Sequence, residues 1–259
     1  MLGKNELALV TVIFAVAGLH CHLAATAELH AMVSGALTGA FRDLIPRYEQ
    51  VSGNKVVISW GPSSGISPDA IPVRLDSGEK PDVLIMVDGS FKKLVFQGKF
   101  ATDFQKGFAI SKVGVGVKAG AAKPDVGSPE ALRRALLNAT SIGYSEGASG
   151  VYVSSELLTK LGIADQVMPK AHMITGELVG EAVVRGEIEM ALQQVSELKA
   201  VKGVDFVGPL PESLQKANVM VVAIAKESKE QKAAKDFVDF LTSTDAAPIL
   251  TESGLDSMK

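Results

Sequence analysis

A chain of 259 residues that is 47% hydrophobic and 21% charged, with a net charge of −3, is globular and long enough for two modest lobes. The slightly acidic balance, with no dense lysine or arginine cluster, argues against a nucleic-acid surface. One cysteine and four histidines leave no spacing suited to a zinc site.

The start of the chain reads as an expected export signal. Lys4 precedes an apolar run over Leu7–Leu19, too short for a bilayer span and suited to a signal-peptide core. Ala25-Thr26-Ala27 fits the small-x-small cleavage rule, which places cleavage after Ala27 and makes 1–27 the signal. Cys21 leaves with it; His20 stands where a lipoprotein signal needs a small residue. No second long apolar stretch follows, so the mature chain is expected in the periplasm with no membrane insertion.

Strand-like and helix-like segments then alternate. A short strand at 29–33 leads to helical spacing over 36–53, where Pro46 is expected to kink or split the helix. The β-branched run at 55–60 is a strand, 67–79 a helix opening on Ser-Pro, 82–87 a buried strand and 89–98 a helix. The second half repeats the rhythm: a strand at 112–118, then the well-capped helix "SPEALRRALLNA" with Ser128 as cap and Pro129 in its first turn. Further strands are read at 141–145, 190–194 and 218–225, with helices at 150–163, 176–187 and 228–243. Such alternation predicts open parallel α/β sheets. With no Gly/Ser linker, two lobes would be joined by strand-like crossovers near 107–113 and 205–218.

Three strand-to-helix turns are rich in serine and glycine: "VSGALTG" (33–39), "WGPSSGISP" (60–68) and "YSEGASGVY" (144–152). In open α/β sheets ligands sit beyond the carboxyl ends of strands, where helix starts offer free N–H groups to anions. Ser34, Ser63, Ser64, Ser145 and Ser149 add hydroxyl donors. Arg74 offers a planar fork for a carboxylate. Gln193 and Gln194 end an apolar strand, so alternation points one amide inward and the other away. Glu146, His172 and Glu177 are the candidate proton-transfer groups, while His30 is expected to pack beside the core. No Ser-His-Asp spacing or nucleophile elbow is present.

The segments "SGALTGAFRDLIPRYEQVSGNKVVISWGPSSG", "PDVLIMVD", "GEAVVRGEIEMAL" and "FVDFLTSTDAAPILTESG" resemble molybdate-type periplasmic solute-binding proteins across the mature chain. The resemblance implies an α/β protein of the type II periplasmic binding fold: two Rossmann-like lobes about a cleft, the second inserted in the first. It implies lobe 1 from 28–110 and 209–259, and lobe 2 from 111–208. In the molybdate binders the strand matching "GEIEMALQQ" ends in a tyrosine that touches the oxyanion; Gln194 stands there in this chain. "QQVSEL" and "VDFVGPLP" resemble a molybdate-binder-like branch that includes a periplasmic aconitate isomerase.

Two functions follow from that resemblance. One is a periplasmic isomerase that interconverts trans- and cis-aconitate by a 1,3-proton shift, with no metal and no cofactor. The other is the binding component of a molybdate-type ABC importer, which would hand a small anion to a permease. In both, the partner in the cleft is a small anion, with a tricarboxylate favoured over an oxyanion.

Overall fold

The computed structural model describes residues 26–258. The expected signal core and Cys21 lie outside the described residues. Eleven strands run in chain order: β1 (Glu28–Ser34), β2 (Lys55–Gly61), β3 (Val83–Val87), β4 (Phe104–Ser111), β5 (Val113–Lys118), β6 (Ile142–Ser145), β7 (Ala171–Ile174), β8 (Met190–Gln194), β9 (Val204–Pro209), β10 (Asn218–Ile224) and β11 (Leu255–Ser257). They form two sheets, ordered β11-β4-β10-β3-β1-β2 and β7-β6-β8-β5-β9. The first sheet takes strands from both ends of the chain and the second from its middle. A single residue, Lys112, separates β4 from β5 across that boundary. The return runs from the end of β9 to the start of β10.

Both sheets are mixed, which corrects the expectation of parallel sheets. β2, β1 and β3 are parallel neighbours, as are β7, β6 and β8. The strands next to the crossings, β10 and β4 in one sheet and β5 and β9 in the other, join antiparallel. The leaving strand β4 keeps the direction of β1 and β3, whereas the returning strand β10 and the entering strand β5 run against their neighbours.

Helices cover the sheets through apolar faces. The helix Thr38–Ser52 buries Phe41, Leu44 and Tyr48, against Phe237 of the helix Gln231–Leu241. The Tyr48 and Phe237 rings lie 4.8 Å apart, and the Tyr48 hydroxyl donates to the Ala233 carbonyl at 3.0 Å. Pro46 does not split this helix. It sits on the exposed side, where water can reach the carbonyl that its missing N–H would have bonded. Ser128 caps Pro129–Asn138 as expected, its hydroxyl accepting from Ala131 N at 3.1 Å.

The helix expected over 67–79 is only Ile71–Asp76. The preceding residues are held as a loop, with Ile71 N donating to the Pro62 carbonyl at 3.0 Å and Ala70 N to that of Ser67 at 3.0 Å. His30 is exposed, because alternation along β1 turns its neighbours Leu29 and Ala31 into the core instead.

Candidate functional site

A cavity of about 240 Å³ lies between the two sheets. The first sheet contributes Ser34 at the end of β1, Trp60 and Gly61 at the end of β2, and Ser63 and Asp69 from the loop beyond. The second contributes Ser145 and Glu146 after β6, Ile174 and Glu177 after β7, and Gln193, Gln194 and Glu197 at and beyond the end of β8. Every contributing strand presents its carboxyl end, the position where open α/β sheets hold ligands. Its volume falls just under the roughly 300–1,000 Å³ of drug-sized pockets, which suits a small metabolite.

The turn after β6 is built by close backbone approach. A Cβ at Gly150 would overlap the Ser145 carbonyl, so only glycine lets the helix start at Ala148 fold back on the strand. The Ser145 and Ser149 hydroxyls meet at 3.3 Å. Glu146 leaves this turn and crosses the cleft. Its Oε2 accepts from Ile66 N at 2.9 Å and Ser67 N at 3.0 Å. Gly65, at φ +124°, makes room for that carboxylate, which a Cβ there would overlap. Glu146 Oε1 is buried without a partner.

This contact ties the two lobes together. Hydrogen bonds to a carboxylate are worth about 1.5–3 kcal/mol, so Glu146→Ala should shift the balance towards open lobes by about that amount. Small-angle scattering of the ligand-free variant should show a larger radius of gyration than the unchanged chain. An identical scattering curve would show that the contact does not govern closure.

Four carboxylates line the cavity, from Asp69, Glu146, Glu177 and Glu197. No lysine, arginine or histidine of the described residues joins them. Among the described residues no group of three or more His, Cys, Asp or Glu side chains is arranged to hold a metal ion. The carboxylates differ in how their charge is met. Glu177 is paired with Arg185, whose two terminal nitrogens reach it at 2.5 and 2.9 Å. Glu146 is held by the two amides. Glu197 is buried beneath Gly35, with Oε2 unpartnered. Burial pushes its carboxyl up to about 7, outweighing the Gln194 backbone N–H and the Gln193 amide, which favour the ionised form.

The site collects some of the residues expected from the sequence and leaves others out. Ser34, Ser63, Ser145, Glu146, Glu177, Gln193 and Gln194 line the cavity. Ser63 also braces the loop, its hydroxyl accepting from Val87 N at 3.1 Å. Both glutamines reach the cavity, because the chain turns into a helix directly after Gln194 and ends the strict alternation. Gln193 Oε1 accepts from Val179 N at 3.0 Å, while Gln194 Oε1 is buried without a partner. Ser64 and Ser149 do not line the cavity.

Arg74 is also absent from the lining; its guanidinium donates to Glu79 at 2.9 Å and to the Asp69 carbonyl at 3.1 Å, which consumes the expected fork. His172 is exposed on the edge strand β7, two residues short of the Ile174 end that reaches the cavity. Glu197 and Asp69 were not picked out by the sequence reading. Glu197 has a visible signal in "QQVSEL": a glutamate at the third helical position after a cleft-facing strand end, where its side chain turns back towards the helix start.

A cleft between two mixed α/β sheets, walled by their carboxyl-end turns, is the architecture of a two-lobed solute-binding protein. The chain belongs to the bacterial extracellular solute-binding protein family, whose profile matches residues 29–256. It is 40% identical to an aconitate isomerase of Pseudomonas sp over 227 residues, which covers 88% of this chain and 87% of that protein. It is 24% identical to the molybdate-binding protein ModA of Azotobacter vinelandii over 92% of this chain and 93% of that one. Among solved structures, the periplasmic molybdate-binding protein of the same organism superposes with a TM-score of 0.70 at 22% identity, covering 88% of this chain and 98% of that one. At that identity the last likeness concerns the fold alone. Among the described residues, no helix is long and apolar enough to cross a membrane.

Proposed function

We propose that this protein is a periplasmic isomerase that interconverts trans- and cis-aconitate on a solute-binding fold. The observation that carries the reading is the 40% identity to an aconitate isomerase over 88% of the chain, against 24% to a molybdate binder. The chemistry asks for little: a base beside an acidic methylene, donors for the enolate-like charge that follows, and a way to return the proton. The methylene C–H bond breaks, its electron pair enters the allylic system, the double bond moves by one carbon, and a C–H bond forms at the former vinyl carbon. Nothing is oxidised or reduced, so no cofactor is called for.

A tricarboxylate in a cavity lined by carboxylates needs those charges compensated. Arg185 neutralises Glu177, and amides hold Glu146. Ser34 and Ser145 hydroxyls supply donors, and a half-turn of the Gln194 amide replaces its unpartnered oxygen with an NH₂ group. Trp60, Ile174 and Leu178 supply apolar walls for the carbon skeleton. In this reading Glu146 grips across the cleft. The export signal delivers the protein to the periplasm, with the mature chain starting near Glu28.

Purified protein mixed with trans-aconitate alone should yield cis-aconitate, followed by proton NMR without added metal or cofactor. Thermal shift should favour aconitate over molybdate, tungstate and sulfate; a ligand at 100 times its dissociation constant adds about 2.7 kcal/mol. Tight molybdate binding with no response to aconitate would return the chain to the importer role.

A further inference from the structure

Of the carboxylates in the cavity, two are committed elsewhere and a third is open to water. Glu146 Oε2 accepts two amide hydrogen bonds that hold the lobes together, and protonation would weaken them. Glu177 forms a bidentate pair with Arg185, which a proton would break. Asp69 is only half-buried, within reach of water. Glu197 shares its burial and a partnerless oxygen with Glu146, but among the described residues it makes no ion pair and no hydrogen bond across the cleft. It lines the cavity, it is buried, and Oε2 meets no hydrogen-bond partner. Its Oε1 lies 3.0 Å from where a Cβ on Gly35 would stand, so the absence of a side chain at Gly35 gives it its place beside the cavity.

The geometry points to Glu197 as the catalytic residue that takes the proton from the aconitate methylene and returns it to the far end of the allylic system. The assignment rests on the isomerase reading above. In the first step the Glu197 carboxylate accepts the methylene proton, and the C–H electron pair spreads over the three-carbon unit. In the second, the neutral Glu197 acid delivers that proton to the former vinyl carbon and regains its charge. One group suffices when it lies over one face of the allylic unit.

The surroundings suit the task. General acid–base groups work best when they titrate near the working pH. Burial brings Glu197 close to 7, with no neighbouring charge contributing to the shift. The charged groups on the elements packed around it are engaged: Arg42 donates to the Ala200 carbonyl at 3.0 Å, and Lys199 to that of Glu252 at 2.6 Å. Asp69, Glu146 and Glu177 share the cavity.

The test is Glu197→Gln, which keeps the shape and cannot carry the proton, with Glu197→Asp as a second variant that keeps the carboxylate but shortens its reach. Glu197→Gln should lower kcat by about 10²–10⁴-fold while calorimetric binding of trans-aconitate stays within a few-fold of the unchanged chain. Glu197→Asp should retain more activity than Glu197→Gln. The kcat/KM profile of the unchanged chain should show an ionisation near 7 that is missing from the residual rate of Glu197→Gln. An active parent whose Glu197→Gln form keeps kcat within tenfold, or keeps that ionisation, overturns the assignment and leaves the isomerase reading standing. A parent that binds trans-aconitate and never interconverts the isomers fails the isomerase reading, and the assignment falls with it.

Discussion

The stability advantage of ligand-free Glu197→Gln protein over the unchanged chain should grow by about 3 kcal/mol between roughly pH 4 and pH 8. Burial raises the Glu197 carboxyl from 4.5 to about 7 in the folded protein. The native state therefore binds more protons than the unfolded chain between those values, and its stability falls as pH rises. Below the unfolded value the acid is neutral in both states and this group costs nothing. Above about 7 it is ionised in both, and the folded protein bears the full penalty of a buried charge. Glutamine does not titrate, so the variant escapes that loss. The comparison between two pH values cancels any fixed cost of burying an amide. In a domain pair of this size each kcal/mol shifts Tm by about 2–4 °C. Thermal melts of both proteins across that range decide the matter: parallel curves would mean that Glu197 titrates normally in the folded chain. The same charge penalty would be the local cost of keeping a proton carrier in the cleft.

A second large effect is expected at the turn after β6. Gly150 lies in a helix, where propensity alone predicts that alanine stabilises by about 0.8–1.0 kcal/mol. The opposite should be seen. An added Cβ would meet the Ser145 carbonyl oxygen and lie 3.0 Å from its amide nitrogen, and backbone cannot rotate aside as a side chain can. Overpacking typically costs about 1–3 kcal/mol, and relief in this turn requires the strand end and helix start to separate. Gly150→Ala should therefore lose about 3 kcal/mol in urea unfolding. It should also weaken ligand binding, since Ser145 and Glu146 would be displaced. Gly89→Ala is the contrasting case. That glycine is also helical, but exposed, and a Cβ there meets nothing within 4 Å. It should gain about 0.5–1 kcal/mol. Equal signs for the two substitutions would show that propensity rather than the close approach rules this turn.

Local pattern and capping carry much of the architecture. The alternation of β-branched runs with apolar helical spacing is enough to place most strands and helices, because each element must bury one face. Ser128 and Pro129 mark their helix by chemistry that acts within a few residues. The Ser/Gly turns mark the carboxyl ends of β1, β2 and β6, and these do line the cavity. Strand β11 escapes notice, and β4 is anticipated only as the strand-like crossover near 107–113. β4 carries Lys106 and Gly107 in its middle, and β11 is three residues long, so neither has enough apolar period to stand out.

What tertiary structure decided is which polar groups share one space and on what terms. Nothing near Arg74 in sequence distinguishes a ligand fork from an internal one; the nearby Glu79 settles it only once the loop has folded. His172 and Ile174 share a strand face, but only the strand end reaches the cleft. Glu146 meets Ile66 and Ser67 across a separation of about eighty residues, which no local pattern encodes. Glu197 reads in sequence as an ordinary helix-start carboxylate. Its acidity depends on desolvation, and desolvation is a property of everything packed around a group, whereas strand and helix periodicity belong to the chain itself.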